Sequence, residues 1–337
     1  MIDLRSDTVT KPSKQMLEAM VNADLGDDVF AEDPTVNKLQ QRCAELTGKD
    51  RALFVPTGCM ANQLAVKAHT NSGDEIICEA ECHIFNYETA APAIISDVLV
   101  RQLPGTSGYF SRKDLEQAIR PPDYYYPKSS LMCLENTHNR AGGAIIPIDA
   151  IEELTSYAKE RGLKRHLDGA RIFNASVETG IPIKEYASHF DTISFCFSKG
   201  LGAPVGSILC GDDESITKAH KWRKILGGGM RQAGVLAAAG LYALDNNIER
   251  LKEDNARAKK FAEELSRIDG FEIDPSNVHT NIIIFASSRI NKDDLVKKLS
   301  EKGVLISFGN YDFLRIVFHL GIDDADLEKA LDAFKSL

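Results

Sequence analysis

The feature that most constrains the fold is an alternation of short apolar runs with helical patterns between about residues 52 and 210. The runs have the length of buried strands, and the segments between them carry apolar residues at helical spacing. Strands that alternate with helices form a mostly parallel sheet with helices on both faces. The runs lie at 75–78, 93–100, 129–136, 164–168, 192–198 and 205–210, and the helical patterns near 59–70, 111–120 and 148–161. The sequence therefore predicts an α/β fold built on one large sheet.

The pattern changes after about residue 245. A long, charged amphipathic helix is predicted over 246–270, and the shorter elements that follow it are typical of a small α+β domain. Its expected inner residues are Ile248, Leu251, Phe261, Ala262 and Leu265. Later strands are expected at 281–285, 304–307 and 314–318, and later helices at 291–301 and 323–335. We predict a large domain over 12–245, with helices also at 12–23 and 35–47, and a small domain formed by 1–11 and 246–337.

Charge and hydropathy exclude several classes of protein. The 337 residues carry a net charge of −9, which argues against a general binder of nucleic acid or of anionic membranes, since both need a basic surface. The longest nearly apolar stretch, 233–244, is too short to cross a bilayer and indicates a buried or subunit-interface helix. The start of the sequence is charged and has no apolar stretch of the signal-peptide type. We expect a cytoplasmic protein with no nucleic-acid or membrane partner.

The seven cysteines are odd in number and scattered. Cys78 and Cys82 are four residues apart, but no second pair or nearby couple of histidines completes the ligand shell of a metal. We therefore expect seven reduced thiols and no metal site.

A small residue at a helix start forms the first candidate site. Thr57 and Gly58 precede a predicted helix, so the backbone N–H groups of Gly58 and Cys59 are free to bind an anion such as a phosphate. The alternative is an ordinary helix start in which Thr57 is the N-cap residue. The sequence leaves both interpretations open.

An acid and an amine follow two neighbouring strands. Asp168 ends the run 164–168, and Lys199 follows the next run, 31 residues later. Because adjacent parallel strands end side by side, the two side chains can face one bound molecule. A buried carboxylate needs a positive partner, and a protonated ring nitrogen would serve. This pair is what pyridoxal phosphate requires: a lysine for a Schiff base and an acid on the pyridinium nitrogen.

The glycines after Lys199 allow a rival interpretation, a dinucleotide-binding loop at 200–206. The spacing of such a loop is not met because Gly206 comes one place late, and the strand-like run 205–210 follows where a helix should begin. We therefore favour the pyridoxal-phosphate interpretation.

Three further candidates are Ser6, His83 and Arg315. Each also has an ordinary structural explanation. Ser6 can cap a turn, His83 can be a partly buried imidazole with satisfied hydrogen bonds, and Arg315 can be a solvated strand residue.

Seven segments, in order, resemble the L-threonine aldolases of the pyridoxal-phosphate fold-type I, aminotransferase-like superfamily. They are DLRSDTVTKP (3–12), GDDVFAEDPTVNKL (26–39), FVPTGCMANQ (54–63), ENTHNRAGG (135–143), HLDGARIFNA (166–175), FCFSKGLGAPVGS (195–207) and LGGGMRQAG (226–234). The resemblance covers essentially the whole chain and is weaker after about residue 245. It implies the aspartate-aminotransferase-like fold, with a seven-stranded, mostly parallel sheet, helices on both faces and a small α+β domain.

The resemblance also implies roles for the matching residues. Lys199 would carry the cofactor covalently, Asp168 would pair with its pyridinium nitrogen, and His83 would stack on its ring near the β-hydroxyl of the substrate. Gly58 and Cys59 would contact the phosphate, and Ser6, Arg171 and Arg315 would contact the substrate carboxylate. Lys224 and Arg231 would contact the phosphate of a neighbouring subunit. Tyr87 would belong to the pocket wall. Arg171 is assigned to the cofactor as well as to the substrate.

Three positions depart from the family. Phe30 stands where a tyrosine is usual, in a loop that approaches the site across a subunit interface. Cys59 stands where a threonine is usual, so a backbone donor is kept and a side-chain hydroxyl is lost. Tyr125 stands where the family has a histidine beside the β-substituent, which leaves open the threo/erythro preference and the identity of the general base.

The activity implied by the resemblance is retro-aldol cleavage of L-threonine or L-allo-threonine to glycine and acetaldehyde. The alternatives are another pyridoxal-phosphate lyase or aldolase for β-hydroxy-α-amino acids, such as the phenylserine type, and a non-catalytic binding protein that keeps the fold. The expected base is His83 or a water that it holds. The family further implies a homodimer or homotetramer with the site between subunits.

Overall fold

The computed structural model describes residues 1–311 and 313–337. Its strands are β1 Ile2–Asp3, β2 Arg51–Val55, β3 Glu75–Glu79, β4 Leu99–Leu103, β5 Ser129–Glu135, β6 Lys164–Asp168, β7 Thr192–Cys196, β8 Ser207–Gly211, β9 Phe271–Glu272, β10 Ile282–Ser287, β11 Val304–Leu305, β12 Ser307–Phe308 and β13 Leu314–Val317. Its helices are α1 Lys14–Val21, α2 Pro34–Thr47, α3 Gly58–His69, α4 His83–Asn86, α5 Ala91–Ser96, α6 Arg112–Ala118, α7 Ile148–Glu160, α8 Ile172–Thr179, α9 Ile183–Ser188, α10 Asp213–Ile225, α11 Gly234–Asn246, α12 Leu251–Leu265, α13 Lys292–Glu301 and α14 Asp324–Lys335.

The large sheet has, within these residues, seven strands in the order β2-β8-β7-β6-β5-β3-β4. The strands from β7 to β4 are parallel, and β8 is antiparallel to both of its neighbours. The predicted mostly parallel sheet is therefore confirmed. In its register, Asp168 of β6 lies beside Glu135 of β5 and Ser194 of β7, so the carboxyl ends of these strands meet at one edge.

Both faces of the large sheet are buried. Ile77 and Met132 belong to an apolar core that also contains residues of α2, α7 and α11. Their chain neighbours Ile76 and Leu131 point to the opposite face and pack with residues such as Val66 of α3. Burial of alternate residues on opposite sides explains why these strands are nearly continuous apolar runs in the sequence.

The strand predicted at 93–100 is wrong in its first half. Ala91–Ser96 form helix α5, with Pro92 in the first turn, and Asp97 ends it with a φ of 54°. Strand β4 begins only at Leu99 and lies at the edge of the sheet. A short apolar run of this kind has the same pattern in a buried helix and in a strand, so periodicity alone could not separate them.

Two other boundaries differ from the prediction. The opposite edge strand, β2, was not among the predicted runs. The long helix expected over 246–270 begins at Leu251, because α11 extends to Asn246 and a turn containing Ile248 separates the two helices. Leu251, like Ile248, packs on the core of the large sheet rather than on the C-terminal core.

The C-terminal part of the chain contains a second, antiparallel sheet with the order β12-β13-β10-β9. The N-terminal strand β1 pairs with β11, with Ile2 opposite Val304, and the N–H of Val317 donates to the carbonyl of Leu4 (2.9 Å). A core separate from that of the large sheet joins these strands to α12, α13 and α14. The N-terminal residues therefore pack against the C-terminal part, while the exact division into 12–245 and the remainder stays a prediction.

Helix α11, which contains most of the apolar stretch 233–244, is buried through Ala237, Ala239 and Ala243. Among the helices of the described residues, none combines the length and the apolar character that a membrane crossing requires. The seven cysteines are free thiols, as expected, and Cys59 is exposed while the other six are buried.

Candidate active site

Asp168 ends β6 at the carboxyl edge of the large sheet and is buried. Its carboxylate accepts hydrogen bonds from Asn62 Nδ2 (2.7 Å) and from the backbone N–H of Ala170 (3.1 Å). Burial alone would raise the pKa of Asp168, but the charges of His83 and Lys199 hold it below its ordinary value. Asp168 is therefore an ionised acid, as a partner of a protonated ring nitrogen must be.

Lys199 lies in the turn that follows β7, where its carbonyl accepts from the N–H of Gly202 (2.8 Å). Because β7 is paired with β6, the half-buried Lys199 leaves the sheet at the same edge as Asp168. Its positive charge lowers the pKa of both Asp168 and Asp7. The acid and the amine that the sequence analysis paired are thus brought to one place.

His83 begins helix α4 and is held by two carboxylates. Its ring Nδ1 lies 2.9 Å from Glu88 Oε1, and its backbone N–H donates to Glu135 Oε2 (2.7 Å). Burial alone would lower the pKa of His83, but the hydrogen bond to Glu88 and the charge of Asp168 raise it above its ordinary value. Since a carboxylate accepts, Nδ1 carries a proton, and Nε2 is left as the ring atom that can exchange a proton with a bound molecule.

Asn62 connects the two acids. Its amide donates to Asp168 Oδ2 (2.7 Å) and to Glu88 Oε1 (2.8 Å), while its Oδ1 accepts from Ser194 Oγ (3.0 Å). The ring Nε2 of His166 lies 3.1 Å from the same oxygen, and burial lowers the pKa of His166 to about 4. These two neutral neighbours fix the orientation of the Asn62 amide, so that its N–H groups face the two carboxylates.

Helix α3 begins beside this cluster. Thr57 caps it by accepting from the N–H of Met60 (3.1 Å), and the N–H groups of Gly58 and Cys59 have no partner within the helix. A Cβ at Gly58 would lie 2.8 Å from Cys196 Sγ, so only glycine allows the helix start to approach β7 this closely. The two interpretations of this segment hold together: Thr57 is the N-cap, and the helix start offers two N–H groups to an anion.

Arg171 forms a buried, bidentate ion pair with Asp7. Its Nε and Nη2 lie 2.6 and 2.7 Å from the two carboxylate oxygens, and its Nη1 donates to Asn139 Oδ1 (3.4 Å). Burial alone would raise the pKa of Asp7, but Arg171 holds it well below its ordinary value. Arg171 thus fastens the N-terminal segment to the start of α8, and its implied contacts with substrate and cofactor stay predictions.

Ser6 and Arg315 have different explanations. Ser6 Oγ accepts from the N–H (3.2 Å) and from Oγ1 (2.8 Å) of Thr8, so the turn-capping role is observed. Arg315 lies on β13 with its Nε buried and without a hydrogen-bond partner in the described part of the chain. Burial and the charge of Arg171 lower the pKa of Arg315 to about 10. Arg315 is thus a partly buried strand residue with one guanidinium nitrogen removed from solvent, and an anionic ligand would satisfy it.

Tyr87 lies next to His83, with 5.7 Å between the ring centroids. The guanidinium of Arg140 lies 5.5 Å from the centroid of the Tyr87 ring. These contacts place Tyr87 at the edge of the cluster, where a pocket wall was expected.

Tyr125 is not brought to this cluster within one protomer. It precedes β5, and the nearby Arg120 binds Glu75, the first residue of β3 (3.1 Å), so this loop lies at the amino edge of the sheet. Tyr125 is also 64% exposed. Its expected contact with the substrate is therefore not made in a single chain and would need a second copy.

Lys224 and Arg231 lie on the surface near Phe30. Lys224 is exposed at the end of α10, and Arg231 pairs with Asp27 (3.0 Å) on the turn that leads to Phe30. Their implied contact with the phosphate of a neighbouring subunit stays a prediction.

Three members of the site, Asn62, Glu88 and Asp7, were not predicted from the sequence. Asn62 lies one helical turn after Gly58, and that spacing could have placed it on the same face as the helix start. Glu88 follows α4 in a segment without periodicity, so no pattern marked it. Asp7 lies in one of the segments that carry the resemblance, but no role was predicted for it.

Comparisons with known proteins identify the family and the fold of the chain. A sequence profile of the beta-eliminating lyases matches residues 3–288. The chain is 42% identical to a probable low-specificity L-threonine aldolase 2 of Arabidopsis thaliana, with 100% of this chain and 97% of the relative covered. It is 41% identical to the low specificity L-threonine aldolase of Escherichia coli K12, with 97% and 96% covered. A solved structure of threonine aldolase from Leishmania major superposes with a TM-score of 0.86 at 19% identity, covering 100% of this chain and 99% of the other.

The solved structure supports the fold, and the predicted aspartate-aminotransferase-like fold is confirmed. The sequence matches extend over essentially the full length of the chain. The chain is a lyase whose cofactor is pyridoxal 5′-phosphate. It belongs to the beta-eliminating lyase family and, within it, to the low-specificity L-threonine aldolases.

Proposed function

We propose that this chain cleaves L-threonine and L-allo-threonine to glycine and acetaldehyde at the carboxyl edge of the large sheet. The supporting observation is that an acid, Asp168, an amine, Lys199, and an imidazole, His83, lie together at this edge. A helix start with free N–H groups belongs to the same site, as does Arg315, whose Nε has no partner among residues 1–311 and 313–337. No single one of these groups indicates an aldol cleavage. Together they provide an acid, an amine, an imidazole, an anion-binding helix start and a guanidinium, which are the groups that the reaction needs.

The residues present fit pyridoxal phosphate. The free N–H groups of Gly58 and Cys59 suit its phosphate, and the ionised Asp168 suits its protonated ring nitrogen. The amine of Lys199 suits its aldehyde. When bound, the cofactor provides an electron sink for the pair left at Cα as the Cα–Cβ bond breaks.

Arg315 binds the substrate carboxylate in this proposal. Its Nε is buried and unpaired in the described residues, and Arg171 beside it is already occupied by Asp7. A guanidinium can hold a carboxylate through two parallel hydrogen bonds, which fixes the orientation of Cα. This orientation decides whether the bond to Cβ or another bond at Cα is aligned for cleavage.

His83 takes the proton of the β-hydroxyl, directly or through a water that it holds. Glu88 holds Nδ1, so Nε2 is the accepting atom. A base works best when its pKa lies near the working pH, and Glu88 and Asp168 raise the pKa of His83 above its ordinary value. Buried Glu88 therefore acts as a positioning residue for His83.

We also propose that the chain is a cytoplasmic homodimer or homotetramer in which Lys224 and Arg231 reach the phosphate site of a neighbouring subunit. Phe30 and Ile225 expose 68% and 57% of their surface near these cations. Val29 and Lys224 line one surface cavity, so the Phe30 loop and the end of α10 form a continuous surface. The free thiols support a reducing compartment.

A substrate panel tests the proposed activity. The full chain with pyridoxal phosphate is incubated separately with L-threonine, L-allo-threonine, D-threonine and phenylserine, and the released aldehyde and glycine are measured. Acetaldehyde and glycine in equal amounts are expected from the first two substrates and not from D-threonine. Benzaldehyde from phenylserine without acetaldehyde from threonine would instead support an aldolase of the phenylserine type. Absence of aldehyde from every substrate would contradict the proposal.

A further inference from the structure

Cys59, His83 and Glu88 bring three different metal-ligating groups together at the candidate site. One atom from each, a thiol sulfur, a ring nitrogen and a carboxylate oxygen, lies within 4.8 Å of the other two. We propose that these residues bind a divalent cation of the zinc type. The bound cation competes with pyridoxal phosphate and coordinates the His83 ring, which is then no longer available as a base. Binding of the cation is independent of the proposed function, whereas its inhibitory consequence rests on that function.

The chemistry of the three groups selects a zinc-type cation. Zn²⁺ binds thiolate, imidazole and carboxylate in a tetrahedral arrangement, and three protein ligands leave one position for water. Mg²⁺ and Ca²⁺ prefer sites made of oxygen atoms alone. Bond lengths of about 2.0–2.3 Å place the ligand atoms of such a site about 3.5 Å apart, so a shift on the order of 1 Å closes the observed group around an ion. Cys59 is exposed in the first turn of α3 and can make this shift.

Neighbouring side chains already fix the orientation of the carboxylate ligand, Glu88. Glu88 accepts hydrogen bonds from Asn62 Nδ2 (2.8 Å) and from Gln63 Nε2 (2.6 Å), and its side chain is fully buried. Partners of this kind hold a metal-binding carboxylate in place. The carboxylates of Asp168 and Glu135 also lie close by, since the Asn62 amide joins Asp168 to Glu88 and the backbone N–H of His83 donates to Glu135. The local negative charge therefore favours a cation.

The thiol ligand, Cys59, is exposed and forms no disulfide in the structure. A bound zinc-type cation removes the thiol proton, because it stabilises the thiolate directly. The L-threonine aldolases that this chain resembles usually have threonine at this position, and a threonine hydroxyl is a poor zinc ligand. The site is therefore expected in this chain and not in relatives that have threonine there.

Cobalt(II) is a suitable probe because a cobalt–thiolate bond gives a charge-transfer absorption band in the near ultraviolet. Titration of the full chain without added cofactor is expected to give this band with one Co²⁺ per chain. Cys59→Thr and His83→Asn should each raise the dissociation constant on the order of 100-fold or more, since even loss of a group behind a ligand costs 10- to 100-fold. His189→Asn, which removes a half-exposed imidazole next to α9, is the matched control and should leave the titration unchanged.

Addition of pyridoxal phosphate to the cobalt-loaded chain should abolish the band. A band that persists in Cys59→Thr, or cobalt that remains bound at full cofactor occupancy, would overturn the proposal. Zn²⁺ should also inhibit acetaldehyde release by the wild-type enzyme more strongly than by Cys59→Thr, each compared with its own rate without metal. A chain that binds Co²⁺ through Cys59 but does not cleave threonine would refute the proposed function alone. A chain that cleaves threonine but gives no cobalt–thiolate band would refute the metal site alone.

Discussion

Asp7 and Arg171 are 164 residues apart in sequence and form a buried ion pair with two short hydrogen bonds, of 2.6 and 2.7 Å. Asp7 follows the strand that pairs with the C-terminal part of the chain, and Arg171 precedes α8 beside the large sheet. The pair therefore joins the two apolar cores next to the candidate site. It also occupies Arg171, whose charge acts on Arg315, while the buried Nε of Arg315 has no partner in the described residues.

Asp7→Ala should lower the free energy of unfolding by about 3–5 kcal/mol, because it leaves the Arg171 charge buried and unpaired. Asp245→Ala removes one partner of an exposed long-range pair with Arg42 and should change it by no more than about 1 kcal/mol. Urea denaturation of both variants measures the difference. The pKa of Asp7 is lowered in the folded state, so the wild type should lose this contribution as the pH falls through the acid range. Equal effects of the two substitutions would contradict this assignment.

Gly58→Ala should weaken binding of pyridoxal phosphate and destabilise the chain by about 1–3 kcal/mol, because the new Cβ would lie 2.8 Å from Cys196 Sγ. Replacement of Cys196 by alanine in the same chain removes that sulfur atom. The double variant Gly58→Ala/Cys196→Ala should therefore recover much of the affinity, measured by cofactor titration. If the second substitution restores nothing, the close approach to Cys196 is not the reason for the glycine.

The pairing of Asp168 with Lys199 was predictable because it follows from a general property of parallel sheets. Both residues follow apolar runs, and the ends of neighbouring strands meet at one edge whatever the details of packing. The open helix start at Gly58 was predictable for a similar local reason, since a small residue before a helix leaves N–H groups without partners in the helix. These parts of the site depend on the order of elements along the chain and on little else.

The remaining contacts depend on three-dimensional packing that has no local signal. Glu88 reaches His83 and Asn62 from a segment without periodicity, and Asp7 reaches Arg171 across 164 residues. The run 93–100 failed for a different reason, because its first half is a short apolar helix whose pattern matches that of a strand. Sequence patterns indicate which residues are buried and whether a segment has the periodicity of a helix or of a strand. Neither property determines which distant side chains meet in these contacts.

Glu88→Gln should move the pH dependence of kcat/KM to lower pH. Activity requires His83 with Nε2 unprotonated, so it should rise with pH through the pKa of His83. Glu88 raises that pKa, and loss of its charge should lower it and shift the rising limb accordingly. Glutamine can also donate to Nδ1, which would place the proton on Nε2 and reduce kcat even on the plateau. Glu153→Gln, on the exposed face of α7, is the control, and an unshifted limb in Glu88→Gln would place the base elsewhere.

Lys199→Ala should remove both the visible absorption of the covalently bound cofactor and nearly all turnover, because no other amine takes its place at the end of β7. The cofactor should still bind, with lower affinity, through the helix start and Asp168. Lys184→Ala, which removes an exposed lysine on α9, should leave the spectrum unchanged. An unchanged spectrum in Lys199→Ala would end the assignment of this residue.

Arg315→Gln should separate activity from stability. Loss of a charge-assisted contact with the substrate carboxylate costs about 1.5–3 kcal/mol, so KM for threonine should rise about 10- to 150-fold. The buried Nε of Arg315 has no partner in the part of the chain that the structure describes. Burial together with the charge of Arg171 lowers the pKa of Arg315 to about 10, so its charge opposes folding at neutral pH. The free energy of unfolding should therefore stay unchanged or increase in Arg315→Gln, while affinity for pyridoxal phosphate is kept. Steady-state kinetics, urea denaturation and cofactor titration of one preparation measure the three quantities. A variant that is less stable and equally active would show that Arg315 supports the fold instead of the substrate.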